Sequence, residues 1–155
     1  MRNMFKKMMI FDYYDGELSG IYAEDDACQT ISRFDLLSWD DCQDWRIFCV
    51  GQVADGNELF RKIVEFYGQF ENEHWPIWAP SVVPAGKRNE ELELRRALDS
   101  KRQYQSVVLS TQFHEEAAKV AALKGDLELL AQNFIQTGEL QDFKTCKRLL
   151  DNISS

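Results

Sequence analysis

Hydrophobic positions recur with two different periods along the chain, and each period predicts a different kind of element. In the first third, short runs rich in β-branched and aromatic residues alternate with polar turn residues, which is typical of strands. The runs are MMIFDYY (8–14), ELSGIYA (17–23), CQTISRFDLLSW (28–39) and WRIFCVGQV (45–53). Asp15-Gly16 favours a tight hairpin turn between the first two runs. Gly20, inside the second run, indicates a bulge or a close approach of the backbone.

After residue 53 the spacing becomes helical. The segment ADGNELFRKIVEFYGQF (54–70) carries an apolar stripe at helical spacing, which predicts a helix that lies on the sheet. The stripe consists of Leu59, Ile63, Phe66, Tyr67 and Phe70. Asp55 stands three residues before Glu58, as in a capping box. All three prolines follow, at positions 76, 80 and 84, and they predict an irregular connection.

The second half reads as mostly helical. We predict a charged helix in residues 89–103 and a last helix in residues 139–152. Residues 104–110 (YQSVVLS) fit either a strand or a helix. Residues 111–138 are predicted to be helical with a break at Gly125-Asp126, where glycine would end one helix in the left-handed conformation and aspartate would cap the next.

The stretch AALKGDLELLAQNFIQTG (121–138) resembles one half of an ankyrin repeat in its G-D-L-E-L-L turn and the helix that follows. No T-P-L-H element precedes it, and no second copy occurs at the spacing of that repeat. We therefore interpret residues 121–138 as part of an ordinary helix hairpin and infer no function from the resemblance.

These elements predict an α+β fold, with a small antiparallel sheet of 3–4 strands in the N-terminal third, packed by a helix and followed by a helical C-terminal half. Residues 1–72 would form the strand-rich part with the first helix, 73–88 the Pro-rich connecting loop, and 89–155 the helical part. A length of 155 residues and a hydrophobic content of 45% suit one compact domain.

Charge is distributed unevenly. The net charge is −8, and between Asp12 and Asp44 ten acidic residues face Arg33 as the only cation. Such a field repels nucleic acids and anionic membranes and favours basic partners. The sequence therefore predicts a basic protein partner and argues against nucleic-acid binding.

Other features bear on the compartment. No apolar run approaches the roughly 20 residues of a membrane helix. The start, MRNMFKKMMIFDYYDG, lacks the cleavage site of a signal peptide. We expect a cytoplasmic protein. In that reducing compartment the four cysteines, Cys28, Cys42, Cys49 and Cys146, would be free thiols.

Motifs for metals, cofactors and catalysis are missing from the sequence. Asp40 and Asp44 have the spacing of positions 1 and 5 in a calcium loop, but Cys42 stands at position 3 and Gly51 at position 12, where glutamate is needed. The helix-like HEEAA has Ala118 where a zinc-binding histidine would stand. No phosphate-binding glycine loop or nucleophile elbow occurs. We predict neither a cofactor nor a metal.

The stretch FDLLSWDDCQDWRIFCV (34–50) is the strongest candidate for a functional surface, and we interpret it as a hairpin with an acidic tip and rim. In the Pro-rich loop, Trp75 and Trp78 either anchor the loop on the core or form an exposed aromatic anchor. The predicted partner-binding residues are Asp35, Asp40, Asp41, Asp44, Trp75 and Trp78.

The leading hypothesis is a non-catalytic inhibitor or immunity-type protein that neutralises a basic partner such as a bacterial toxin. One alternative is a secretion chaperone or adaptor, which would form a homodimer. Another is a small enzyme that uses a carboxylate or His74 in a cleft near the Pro-rich loop. The sequence leaves open whether the protein is a monomer or a homodimer.

Overall fold

The computed structural model describes residues 7–14, 17–23, 29–40, 42–70, 77–78, 83–113 and 117–153; for residues 7, 13, 77 and 78 it describes the backbone alone. The strands are β1 (Lys7–Tyr13), β2 (Glu17–Ala23), β3 (Ile31–Asp40), β4 (Trp45–Gln52), β5 (Ile77–Trp78), β6 (Ser106–Ser110) and β7 (Lys119–Ala122). The helices are α1 (Gly56–Gly68), α2 (Arg88–Asp99), α3 (Asp126–Thr137) and α4 (Phe143–Asn152), and a short 3-10 helix spans Ala85–Lys87. None of these helices is long and apolar enough to cross a bilayer.

All described strands belong to one sheet, in the order β5-β1-β2-β3-β4-β6-β7. Each pair from β1 to β7 is antiparallel, whereas the two-residue strand β5 pairs with β1 in parallel. The first four strands therefore form two successive hairpins, as the sequence predicts. Strands β6 and β7 come from the second half of the chain and extend the same sheet past β4.

The predicted fold class is wrong in the size of the sheet and in the character of the second half. The predicted sheet has 3–4 strands and is confined to the N-terminal third. The observed sheet has six antiparallel strands and continues to residue 122. Residues 119–122 (KVAA) form β7, although alanine and lysine favour helices, because pairing with β6 overrides a weak local propensity. Part of the helix predicted for residues 111–138 is therefore a strand.

The helices of the described chain cover one face of the sheet, here called the helix face. Helices α1 and α2 lie over β1–β3 and bury the predicted stripe of α1, including Ile63 and Tyr67. Helices α3 and α4 lie over β3, β4 and β6 and bury Leu127, Cys146 and Leu150. The helix face is thus divided into two apolar clusters.

The opposite face, here called the back face, has an aromatic core. Phe113, in the segment after β6, stacks on Phe34 with ring centroids 3.9 Å apart and an interplanar angle of 5°. Tyr22 and Phe48 contact the same ring at 5.5 and 5.1 Å. Because Phe113 is only 3% exposed, it is a central part of this core.

Local predictions fare unevenly. Gly20 does allow a close approach, because a Cβ atom there would lie 2.3 Å from the Met9 carbonyl oxygen. The capping box at Asp55 is wrong, because this residue has φ 52° and its side chain accepts no capping hydrogen bond. The interpretation of Gly125-Asp126 is also wrong: Gly125, with φ 61°, precedes α3 directly and follows strand β7.

Candidate protein-binding surface

Two hairpin turns meet at one end of the sheet, here called the hairpin end. Strands β3 and β4 are joined by a turn at residues 42–44, in which Asp40 Oδ1 accepts a hydrogen bond from the Cys42 N–H at 3.1 Å. Asp44 closes the turn with φ 59°, a conformation that aspartate tolerates better than most residues. The acidic composition of this tip is therefore compatible with its backbone geometry.

Arg46 contacts both hairpin turns. Its side chain is fully buried, and its Nη2 donates a hydrogen bond to the Tyr14 carbonyl oxygen at 3.1 Å. The same nitrogen lies 3.5 Å from Asp44 Oδ1, and the guanidinium carbon lies 4.7 Å from the centre of the Trp39 ring. This cation fixes Tyr14, Trp39 and Asp44 relative to one another.

An aromatic pair lies over this cation, with Tyr14 exposed and Trp39 half-buried. Tyr14 is 66% exposed and meets Trp39 edge to face, with ring centroids 5.7 Å apart. The Asp44 side chain, which is 47% exposed, flanks the pair through its contact with Arg46, whereas Asp12 is exposed in β1 and accepts a hydrogen bond from Ser19 Oγ at 2.8 Å. An aromatic centre with a polar rim is the composition of energetically important sites in protein–protein interfaces.

Asp35 does not belong to this surface, and its assignment as a partner-binding residue is corrected by its burial. It is 8% exposed on the helix face, where Arg33 donates to both carboxylate oxygens at 2.9 and 3.3 Å. The Tyr104 hydroxyl donates to the same carboxylate at 2.5 Å. Asp35 is therefore an internal counter-ion that is inaccessible to a partner.

The pair extends into a network at the boundary between the two apolar clusters. Arg33 Nη1 donates to Asp99 at 3.0 Å, and Arg102 donates to the same oxygen at 2.9 Å. Although partial burial opposes it, these hydrogen bonds lower the pKa of Asp99. Burial and the neighbouring Asp35 carboxylate raise the pKa of Tyr104, which keeps its phenol protonated as a donor. The network links β3 to the segment that follows α2.

Cations lie on one flank of the hairpin end. Asp40 shares a cavity of about 470 Å³ with Lys144, Lys147 and Arg148 of α4. Lys147 is paired with Asp151 at 2.6 Å, whereas Lys144 and Arg148 are exposed. The flank near Asp40 is therefore mixed in charge.

The other residues predicted from the sequence lie partly or wholly outside the part of the chain that the structure describes. Asp41, Trp75 and His74 lie outside the described residues. The Trp78 backbone pairs with Ile10, but its side chain is not among those described. Of the six predicted residues, the structure thus places Asp40 and Asp44 at the hairpin end.

Sequence reasoning missed Tyr14 and Trp39 as members of this surface. A signal for Tyr14 was present, because it directly precedes the predicted Asp15-Gly16 turn and a turn carries its neighbours to the surface. Trp39 is the second-to-last residue of β3, just before the acidic tip. Their contact depends on β1–β2 and β3–β4 turning at the same end of the sheet.

Two of the described cysteines are buried. Burial raises the pKa of Cys49 and raises that of Cys146 to about 11, so both thiols stay protonated at neutral pH. The described cysteines, Cys42, Cys49 and Cys146, are free, and the described residues contain no cluster of three or more potential metal ligands. The chain matches no protein-family model, no curated protein and no solved structure.

Proposed function

We propose that this protein is a non-catalytic protein-binding domain that neutralises a basic partner, in the manner of an inhibitor or immunity protein that covers a toxin. The binding surface is the hairpin end, with Tyr14 and Trp39 at its centre and Asp12, Asp40 and Asp44 around them. The observation that carries the proposal is the exposed Tyr14 ring, held edge to face on Trp39 beside the partly exposed carboxylate of Asp44.

The aromatic pair supports the affinity of such a surface. A tyrosine that is 66% exposed can bury a large area on binding. Because Arg46 and Trp39 hold the turns in place beneath it, binding would require little ordering of the backbone. Preorganisation of this kind lowers the entropy lost on association.

The carboxylates support recognition of a basic partner. Asp44 lies in the β3–β4 turn with a side chain that is 47% exposed, and its partner Arg46 is fully buried. Asp12 is exposed near the end of β1. Exposed charges of one sign accelerate the encounter with a partner of opposite sign, and salt weakens the effect. The cations of α4 limit this attraction on the Asp40 flank, so we assign Asp12 and Asp44 the larger share.

The described chemistry gives little support to catalysis. Where the described carboxylates have a shifted pKa, as at Asp99, Asp142 and Asp151, the shift is downward. A general acid at neutral pH needs a raised pKa. The cavity of about 520 Å³ on the sheet has no acidic, basic or histidine side chain in its lining.

A pull-down with matched variants tests the proposal. Tagged wild-type protein, the hairpin variant D12N/D40N/D44N and the control variant E65Q/E93Q/E128Q are immobilised and exposed to native lysate of the source cells. Both variants lose the same formal charge, but the control positions lie exposed on α1, α2 and α3. Bound proteins are released with a salt gradient.

We expect one basic protein to be retained by the wild type and the control and to be released only at high salt. The hairpin variant should release it at much lower salt. Equal retention by all three proteins would contradict the assignment of the hairpin end. Recovery of no basic protein would favour the enzyme hypothesis.

A further inference from the structure

The back face carries an open cavity far from the hairpin end. It has a volume of about 520 Å³ and lies across β2, β3, β4, β6 and β7, near the ends of these strands opposite to the acidic tip. Its lining includes Tyr22, Val50, Val108 and Val120, together with Ser32 and Ser106. No charged side chain lines it, although 28% of the chain is charged.

Strand β7, at the border of this cavity, is the last strand of the sheet among the described residues. The Leu123 N–H donates to the Gln105 carbonyl oxygen at 2.7 Å, which marks these two residues as a hydrogen-bonded pair. Hydrogen-bonded and non-hydrogen-bonded pairs alternate in an antiparallel ladder. The backbone N–H and C=O groups of Val120 and Ala122 therefore point away from β6, towards the side of β7 on which the described residues place no strand.

The side chains of β7 leave this edge accessible on the back face. Val120 is 60% exposed and borders the cavity, and Ala122 is exposed as well. A lysine on an edge strand commonly prevents pairing with another chain, and Lys119 is the lysine of β7. Its Nζ instead lies 3.8 Å from Asp151 of α4, on the helix face.

We propose that β7 and the adjoining cavity form a docking site for an uncharged, extended polypeptide segment of a partner protein, which adds to the sheet as a further strand. The backbone of the segment would pair with the outward groups of Val120 and Ala122. Every second side chain would then enter the cavity, because side chains alternate across a strand.

The composition of the cavity determines the chemistry of this segment. A charged side chain would lose its hydration beside Val108 and Val120 without gaining a counter-ion. Valine and threonine can contact Val120 at the border of the cavity, and their uncharged side chains match a lining that includes Ser32 and Ser106. The site is distinct from the hairpin end, so its occupation does not depend on the proposed function.

Titration of ¹⁵N-labelled protein with the peptide acetyl-Ser-Val-Thr-Val-Thr-Ser-amide tests the proposal. We expect saturable changes in the amide resonances of Val108, Val120 and Ala122. Two comparison peptides carry lysine in place of both valines or N-methyl groups on alternate residues. Both should bind at least about tenfold more weakly, because they lose apolar contact or backbone donors.

Protein variants complete the test. Val120→Lys places a charge at the site without disturbing the core, since this side chain is 60% exposed. It should weaken binding by at least about tenfold, whereas Leu129→Lys on α3, also at an exposed apolar position, should not. The proposal is overturned if the changes map elsewhere, if no peptide binds, if the N-methylated peptide binds equally well, or if β7 pairs with a second copy of the chain in solution.

Discussion

Arg33 and Asp35, two positions apart on β3, form a buried bidentate ion pair at 2.9 and 3.3 Å on the helix face of the sheet. Tyr104, 69 positions away in sequence, completes the shell of the carboxylate. The first aspartate of the acidic stretch therefore has a structural role. The charge of Asp35 stabilises the fold, whereas the aspartates of the hairpin end are the ones that a partner could contact.

Replacement of Asp35 by alanine should destabilise the protein strongly, because it leaves the buried Arg33 cation and the Tyr104 hydroxyl without their acceptor. Removal of one partner from a buried pair costs about 3–5 kcal/mol. Since Arg33 keeps its contact with Asp99, we expect the lower part of that range. Urea denaturation of D35A and of the double variant R33M/D35L measures the effect. The double variant should be the more stable of the two, and the opposite order would contradict this account of the pair.

Asp99 should contribute to stability in a pH-dependent way. Its pKa is lowered in the folded state by Arg102 and Arg33, against the opposing effect of burial, from an ordinary value of 3.8. A lowered folded pKa stabilises the protein above pH 3.8, and this contribution is lost as the pH falls through the folded pKa. Wild-type protein should therefore be more stable than D99N at pH 7, and the difference should shrink in acid. A pH-independent difference in urea midpoints would exclude this mechanism.

Phe113 should be among the most important residues for folding, although it lies outside regular secondary structure. Its ring stacks on Phe34 at 3.9 Å and contacts Phe48 and Tyr22. Truncation of a buried phenylalanine to alanine costs about 3–5 kcal/mol. Leu129→Ala is the control, because that side chain is 66% exposed and its loss should change the free energy of unfolding by less than about 0.5 kcal/mol. Equal effects in thermal unfolding would show that the aromatic core is not central.

Gly20 should not tolerate even a methyl group. A Cβ atom would lie 2.3 Å from the Met9 carbonyl oxygen and 2.9 Å from the Phe34 ring, so β1 and β2 would have to separate. Gly68→Ala, at the end of α1, meets nothing within 4 Å and should be neutral or stabilising. Chemical denaturation of G20A and G68A should give shifts of opposite sign or of very different size. Similar midpoints would indicate that the hairpin adapts to the methyl group.

The thiols should differ widely in reactivity. Cys42 is exposed at the acidic tip, whereas Cys49 and Cys146 are buried and burial raises the pKa of both. In a Cys28→Ser background, an aromatic disulfide reagent at pH 8 should modify one thiol rapidly and two only after unfolding. Mass spectrometry identifies the modified residue. Rapid modification of Cys146 would show that α4 opens from the sheet.

Parts of the fold were predictable because the local signals agree with the tertiary structure. The four N-terminal strands combine β-forming residues with turn signals, and the α1 stripe from Leu59 to Phe70 packs as expected. Strands β6 and β7 were not predictable in this way. They are short, and KVAA lies among alanine, lysine and glutamate, so its identity as a strand comes from pairing with β6.

The candidate surface was predictable in position but not in composition. The acidic residues around the β3–β4 turn identify Asp40 and Asp44 as tip residues. The internal role of Asp35 could have been suspected, because residues two apart share one face of a strand and Arg33 is its neighbour on that face. The contact between Tyr14 and Trp39 depends on how two hairpins lie beside each other, which local sequence does not specify.

The most direct measurement of the central claim is the association rate of the captured basic partner with wild-type protein and with D12N/D40N/D44N over increasing salt concentration. If the hairpin end binds the partner, we expect fast, salt-sensitive association for the wild type. Association of the variant should be slower and depend less on salt. Tyr14→Ala should instead accelerate dissociation, with a loss of about 2 kcal/mol or more in binding free energy if the ring is a central contact. Association rates that agree at every salt concentration, together with an unchanged dissociation rate for Tyr14→Ala, would contradict the claim that this end of the sheet binds the partner.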